Sequence, residues 1–325
     1  MASTTKIMTA LVAIEEGRLE DRVRIGPQAI RIYGSRAGLR AGQELRLEDL
    51  LHGLLLSSGN DAALAVAEHV AGSVEAFVER MNARARELGL LHTRFVNPHG
   101  LDAPGHYSTA YDLAQLARVA LLHPTFARIV ARKEYPIPPL GTWHNTNRLL
   151  WSFEGIEGVK TGTTGRAGDC LVAAASRSGM RLISVVLGSD NRWADTARLL
   201  EYGFRHYRVL TLARYGQVLA EVHLPLTRRP LAVVAADDVP VVLHHDEVPA
   251  LQTRLVLAPP RPGWRAGDPV GWLQVHTDRS AYLVPLAAAA PARWWTPADL
   301  LRRLWPWGRS TPPPAPAAPP RPEGA

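Results

Sequence analysis

At 325 residues with 46% hydrophobic content, the chain has material for one large core and a second, smaller one. A net charge of +7 suits anionic surroundings, yet no recognised nucleic-acid motif accompanies it, so no nucleic-acid partner is expected. A single cysteine, Cys170, excludes an intrachain disulfide and reads as a small buried filler at the start of a strand.

Lysine occurs only at positions 6, 133 and 160, although lysine and arginine together number 37. Arginine keeps its proton in a protein, whereas a lysine amine is made neutral and basic by burial or by a neighbouring cation. A chain so biased that keeps lysine in Ser3-Thr4-Thr5-Lys6 and in Lys160-Thr161-Gly162 points to a need for an amine at those places. The first motif opens a helical pattern over residues 4–16, with Ile7, Met8, Leu11, Val12 and Ile14 at helical spacing and Gly17 as its stop. Residues three apart on a helix are neighbours, so Ser3 and Lys6 share one face. A hydroxyl becomes a nucleophile when an adjacent base takes its proton, and a Ser/Lys pair supplies both parts. Taken alone, the motif reads as an ordinary capped helix with a surface lysine.

A helical pattern over residues 47–56 gives way at Ser58-Gly59-Asn60 to another over 61–70; alone, these three are turn formers. Further helical patterns cover 74–88, 110–122 and 194–205, with Thr109 and Asp112 resembling a capping pair for the second of them. His92, His99 and His106 belong to no compact Cys/His cluster, read as loop residues, and no metal is expected. Lys160-Thr161-Gly162-Thr163-Thr164-Gly165 precedes strand-like runs at 171–176 and 181–188, joined by a polar turn at 177–179. As a phosphate loop it fails, because the lysine leads the glycines, and no cofactor is expected. Helices with a late run of paired strands predict an α+β layered catalytic region over residues 1–207.

Over residues 208–287 the pattern changes to short β-rich runs at 217–224, 231–234, 239–244, 251–257, 270–275 and 281–285, a small antiparallel β domain. Residues 288–309 carry Trp294, Trp295, Trp305 and Trp307 among Arg293, Arg302, Arg303 and Arg309. This stretch is too short to span a bilayer and is suited to lie on an anionic membrane surface; the alternative is a short helix packed on the β domain. Residues 310–325 are proline-rich and are expected to be disordered.

The ordered set S-x-x-K, S-x-N and K-T-G is far more specific than any one member. Together with MASTTKIMT from Met1, SGNDAA from Ser58, FVNPHGL from Phe95, KTGTTGRAGDC from Lys160 and the run from Met180 to Gly188, it resembles the serine D-alanyl-D-alanine carboxypeptidases, the low-molecular-mass penicillin-binding proteins. The likeness covers roughly the first two thirds of the chain. It implies a β-lactamase/penicillin-binding-protein-like catalytic domain that removes the terminal D-alanine from peptidoglycan stem peptides through a Ser3 acyl-enzyme, with β-lactams as acylating inhibitors. By the same resemblance, Lys6 is the base, Lys160 is the cation that helps to neutralise it, and Ser58 with Asn60 relays the proton to the departing D-alanine. The backbone N–H groups of Ser3 and Thr163 are the implied oxyanion hole. Lys160, Thr161, Gly162, Thr163 and Arg192 are the implied receptors of the substrate carboxylate. The implied location is exported, at the outer face of the cytoplasmic membrane.

One departure is that Met1 stands two residues before Ser3, where the family carries an export signal and the first strands of its sheet. The expectation is a start farther upstream or a truncated product whose sheet lacks those strands. Two other readings stay open. One is a β-lactamase of the same fold, against which Ser58-Gly59-Asn60 departs from S-D-N and neither Glu134 nor Glu154 sits in a deacylation motif. The other is a truncated, non-catalytic protein that binds wall or membrane.

Overall fold

Every residue from Lys6 to Ala13 is buried, so the first two turns of helix α1 (Lys6–Glu16) are enclosed by their neighbours, and Glu15 and Glu16 at its end are exposed. The computed structural model describes residues 1–224, 227, 229–259 and 264–291; the Trp/Arg-rich segment from residue 292 onward and the proline-rich stretch 310–325 lie outside the described residues. The chain divides after Arg208 into two compact units.

In the first unit, α1 is followed by the short pair β1 (Arg22–Arg24) and β2 (Glu44–Arg46). Helices α2 (Leu47–Leu55), α3 (Asn60–Ala71), α4 (Val74–Glu87), α5 (Ala110–Ala120) and α6 (Pro124–Val130) come next. Local chemistry fixes their ends: the Ser73 hydroxyl accepts from the Ala76 N–H at α4, Gly72 closes α3 at φ 80°, and Pro124 opens α6. Thr109 caps α5 by accepting from the Asp112 N–H, but the expected return bond is not made. The Asp112 carboxylate instead accepts from the His92 N–H and the Thr93 hydroxyl, which tie the preceding loop to the helix.

The hairpin β3 (Glu134–Ile137) and β4 (Gly141–His144) and the short α7 (Leu149–Ser152) lead into β5 (Ile156–Thr164), β6 (Gly168–Arg177) and β7 (Met180–Ser189). These last three form an antiparallel sheet in the order β5-β6-β7. Ser178 and Gly179, both at positive φ, make the two-residue turn between β6 and β7, where a left-handed backbone matches the twist of the strands. Alternation along β6 sends Val172 and Ala174 into the core built on α1 to α6, and Leu171, Ala173 and Ala175 toward Leu200 of α8 (Arg192–His206). The result is an α+β arrangement with helices on both faces of a short sheet.

The second unit begins within β8 (Tyr207–Thr211) and contains β9 (Val218–Val222), β10 (Leu231–Ala235), β11 (Pro240–His244), β12 (Gln252–Leu257), β13 (Pro269–His276) and β14 (Ala281–Ala288). Five of these make a sheet in the order β12-β13-β14-β10-β9. Val233, Ala235, Trp264, Val270, Val275, Val284 and Leu286 form its own small core. Among the described residues, no helix is long and apolar enough to cross a membrane.

Candidate active site

Ser3 lies in a single 3-10 turn, Ala2–Thr5, that feeds directly into α1. The preceding Ala2 is held at φ 49°, a conformation that costs a non-glycine residue about 1–3 kcal/mol and persists only where its surroundings enforce it. Part of that enforcement is visible. Gly100, at φ 87°, packs so closely on the Ala2 carbonyl that a Cβ there would collide with it. The same loop is pinned to α1 by the Thr9 hydroxyl, which donates to the Pro98 carbonyl at 2.6 Å.

Lys6 is fully buried, and its Nζ lies 3.0 Å from Ser3 Oγ, 2.7 Å from Asn60 Oδ1 and 2.6 Å from the His99 carbonyl. Two of these partners have fixed roles. A carbonyl only accepts, and the Asn60 amide is oriented because its Nδ2 donates to the Tyr33 carbonyl at 2.7 Å, which leaves Oδ1 facing Lys6. Burial, reinforced by the charge of Lys160, holds the Lys6 pKa well below its ordinary value, against a smaller opposing pull from Asp61. A neutral amine has two N–H donors and one lone pair. In that neutral form, donors directed at Asn60 and His99 leave the lone pair for the Ser3 hydroxyl proton.

Lys160, on β5, is also buried, donates to the Thr161 carbonyl at 3.1 Å, and has a pKa lowered to about 7, first by burial and then by Arg192. Gly162 brings β5 against the nucleophile turn. A Cβ at that position would stand 2.8 Å from the Ser3 nitrogen and 3.1 Å from that of Thr4. The Thr161 hydroxyl shares a 2.6 Å bond with that of Thr146. The Thr163 hydroxyl donates to Asp169 at 2.8 Å and accepts from Arg192 Nη1 at 2.8 Å. Arg192 further donates to the carbonyls of Gly162 at 2.9 Å and Cys170 at 3.3 Å, and its guanidinium lies over the Trp193 ring. It therefore braces the lysine-bearing strand, in contrast to the solvent-facing arginines elsewhere.

Ser58 sits between α2 and α3, buried and held at φ 58°. Among the described residues its hydroxyl has no hydrogen-bond partner, whereas Asn60 is committed on both sides of its amide. The fold thus links Ser3, Lys6 and Asn60 by hydrogen bonds, with Gly162 packed on Ser3, Lys160 close enough to lower the Lys6 pKa, and Thr163 on the same strand, bonded by Arg192 from the start of α8.

Sequence reasoning missed three contributors. The Asp61 carboxylate accepts from the N–H groups of Ala37 at 2.7 Å, Gly38 at 3.0 Å and Leu39 at 3.1 Å, besides Ala62, and so clamps the segment that carries Tyr33 and Ser35. The His99 carbonyl and the Thr146 hydroxyl are the other two. Asp61 lies inside the SGNDAA string, which gave a signal; a backbone carbonyl gives none. His106, read as a loop residue, has its Nε2 2.9 Å from the Thr5 hydroxyl.

Comparison with known proteins agrees with this geometry. Residues 1–191 match the model of the peptidase S11 family, described as D-alanyl-D-alanine carboxypeptidase. The chain is 40% identical over 233 residues to the D-alanyl-D-alanine carboxypeptidase DacF of Bacillus subtilis (strain 168), covering 68% of this chain and 60% of that protein. It is 42% identical over 227 residues to DacC of Escherichia coli (strain K12), covering 65% of this chain and 56% of that protein. It therefore spans only 60% and 56% of those relatives' lengths. A crystal structure of penicillin-binding protein 5 from Haemophilus influenzae superposes with a TM-score of 0.74 at 30% identity, covering 90% of each chain. With more than half of its length matched and its three lysine and serine motifs gathered around one buried amine, the chain belongs to the peptidase S11 family of D-alanyl-D-alanine carboxypeptidases.

Proposed function

We propose that the chain is a serine hydrolase that removes the terminal D-alanine from peptidoglycan stem peptides and is acylated by β-lactams. The observation that carries this reading is the buried Lys6 amine, within hydrogen-bonding distance of the Ser3 hydroxyl, Asn60 Oδ1 and the His99 carbonyl. Lys6 takes the Ser3 proton as Oγ attacks the carbonyl between the two D-alanines. The N–H groups of Ser3 and Thr163 receive the developing oxyanion, a contribution of about 3–4 kcal/mol per well-placed donor. The C–N bond breaks as the proton taken by Lys6 is relayed through the Ser58 hydroxyl to the departing amine, and water then releases the acyl group from Ser3, returning its hydroxyl proton.

Lys160 and the Thr161 hydroxyl hold the free carboxylate of the substrate. The Thr146 and Thr161 hydroxyls share one bond, and when Thr146 is its donor the Thr161 proton is free for that task. The Thr163 hydroxyl, by contrast, has already given its proton to Asp169, so Thr163 serves through its backbone. Arg192 steadies Thr163 and adds positive field. Residues 1–207 make up this catalytic domain, and 208–287 form an appended β domain that carries none of the three motifs. The enzyme acts outside the cytoplasmic membrane, with the Trp/Arg segment 288–309 resting on anionic lipid.

Intact-mass measurement after addition of benzylpenicillin tests the chemistry: a stable adduct on Ser3, lost in Ser3→Ala, is expected. Rapid turnover without an adduct would indicate a β-lactamase, and no reaction a non-catalytic homologue. For the membrane segment, a chain ending near residue 286 should keep peptide hydrolysis and lose binding to anionic vesicles. Equal binding by both lengths would return the tryptophans to a packing role.

A further inference from the structure

Residues 22–43 hold five arginines and no acidic side chain. Three of them, Arg31, Arg36 and Arg40, lie on the loop that wraps the start of α3, and all three are exposed. Backbone bonds hold this loop beside Asn60. The Ser35 carbonyl accepts from the Asn60 N–H at 2.8 Å and the Ala37 N–H donates to Asp61 at 2.7 Å, so Arg36 stands one residue from each contact. Arg31 comes two residues before Tyr33, whose carbonyl takes the Asn60 amide, and Arg40 follows Leu39, whose N–H takes Asp61. From the β3–β4 hairpin, Trp143 Nε1 donates to the Ala37 carbonyl at 2.8 Å and pins the loop on its other side. The three arginines thus ride on a lip of fixed position next to a group that bonds to Lys6.

Charge balance sets this lip apart. Elsewhere in the first unit Arg46, Arg80, Arg84, Arg128, Arg177 and Arg181 each pair with a glutamate. Among the described residues Arg31, Arg36 and Arg40 form no ion pair, and Arg36 only reaches the Ile30 carbonyl at 3.4 Å. Asp61 is buried and gives its oxygens to four backbone N–H groups rather than to an arginine. The substrate supplies the matching charge. Each stem peptide in the reading above ends in a carboxylate, so a polymer that bears many stems is a polyanion. Resting on that reading, we infer that Arg31, Arg36 and Arg40 form a cationic lip that engages the carboxylates of neighbouring stems, so that the enzyme favours stem peptides held in an anionic polymer over isolated ones. Guanidinium–carboxylate pairs at an exposed site are individually weak, and three together are worth about tenfold in affinity at low salt. The lip touches no reacting atom, so its gain falls on KM and leaves kcat unchanged.

The test measures D-alanine release from one D-Ala-D-Ala peptide extended at its amino end by a run of four glutamines or of four glutamates, the latter supplying the extra carboxylates. The unaltered chain should show a KM about tenfold lower for the glutamate peptide at low salt, and the two values should converge at about 1 M salt, where screening acts within about 3 Å. Replacing all three arginines, by Arg31→Gln, Arg36→Gln and Arg40→Gln together, should make the two KM values equal, and glutamate at the same positions should reverse their order. Hydrolysis of the glutamine peptide and acylation by benzylpenicillin should stay within about twofold in every variant. Equal KM values in the unaltered chain, or a preference that survives the triple substitution, would overturn the lip while leaving the Ser3 reading intact. Loss of binding to anionic vesicles by the triple variant, with its peptide preference unchanged, would also overturn it and assign these arginines to lipid. Absence of penicillin acylation in the unaltered chain would overturn both readings.

Discussion

Three oxygens surround the Lys6 amine, and the proton count at that nitrogen decides what the site does. Arginine at this position keeps the positive charge but cannot surrender its proton, so Lys6→Arg should lower kcat/KM for D-alanine release by about 100- to 10,000-fold, the usual worth of a general base. A near-normal rate in a peptide-hydrolysis assay would show that another group takes the serine proton. Lys160 carries a different prediction. With a pKa near 7 it loses charge as pH rises through neutrality, so KM for a carboxylate-bearing peptide should climb above that pH. Both buried lysines have folded pKa values below those of the unfolded chain. Between the folded value and about 10.4 the unfolded state binds more protons, so their unfavourable contribution to stability is largest at low pH and fades as pH rises, for Lys160 from about 7 toward 10. Lys160→Met should therefore melt at a higher temperature than the parent near neutrality, with the gap narrowing by pH 9. A gap that does not depend on pH in calorimetric scans would contradict this account.

At the level of elements, the site depends on how closely β5 lies on the nucleophile turn. Gly162→Ala places a methyl 2.8 Å from the Ser3 nitrogen, 3.0 Å from Ala2 Cβ and 3.1 Å from the Thr4 nitrogen, so the strand or the turn must shift. Acylation by fluorescent penicillin should fall by about 100-fold, since a displacement near 1 Å at a reacting centre has that effect. Normal labelling would mean that the strand and the turn adjust independently. The Asp61 clamp is a second device of this kind. Asp61→Asn keeps the volume but turns one acceptor oxygen into a donor facing the Gly38 and Leu39 N–H groups, at a cost of roughly 2–4 kcal/mol. Asn60 should lose its fixed orientation as the segment with Tyr33 loosens, so kcat should drop more than the melting temperature alone explains.

The same elements show what a sequence discloses. Helices α2, α4 and α5 follow from apolar spacing and caps, and the β6–β7 hairpin follows from alternation around its Ser-Gly turn. The short strands β1 to β4 escaped notice because three or four residues are too few to establish a period. Helix α6 was hidden by its seven-residue length, and α7 is a single turn. The chemistry-bearing side chains were legible because rare lysines stood in ordered motifs. The His99 carbonyl and the Asp61 clamp were not, because backbone groups and long-range acceptors leave no mark on spacing.

Across the whole molecule, every group that meets Lys6 comes from the first unit, and each unit has its own apolar core. A chain ending at Arg208 should therefore fold and take up penicillin at a rate within about threefold of the full chain, provided the exposed end is kept soluble. Failure to fold would show that the first unit relies on the residues beyond it. The lysine distribution has a further use at this scale. Lys133 lies exposed in the loop before β3, while Lys6 and Lys160 are sealed in the interior. A lysine-specific endoproteinase acting on the native protein therefore has one open cleavage point at 133, and it reaches 6 or 160 only when the centre of the molecule opens. The fragment pattern over time becomes a direct clock for breathing of the reactive centre, with no label or substrate added.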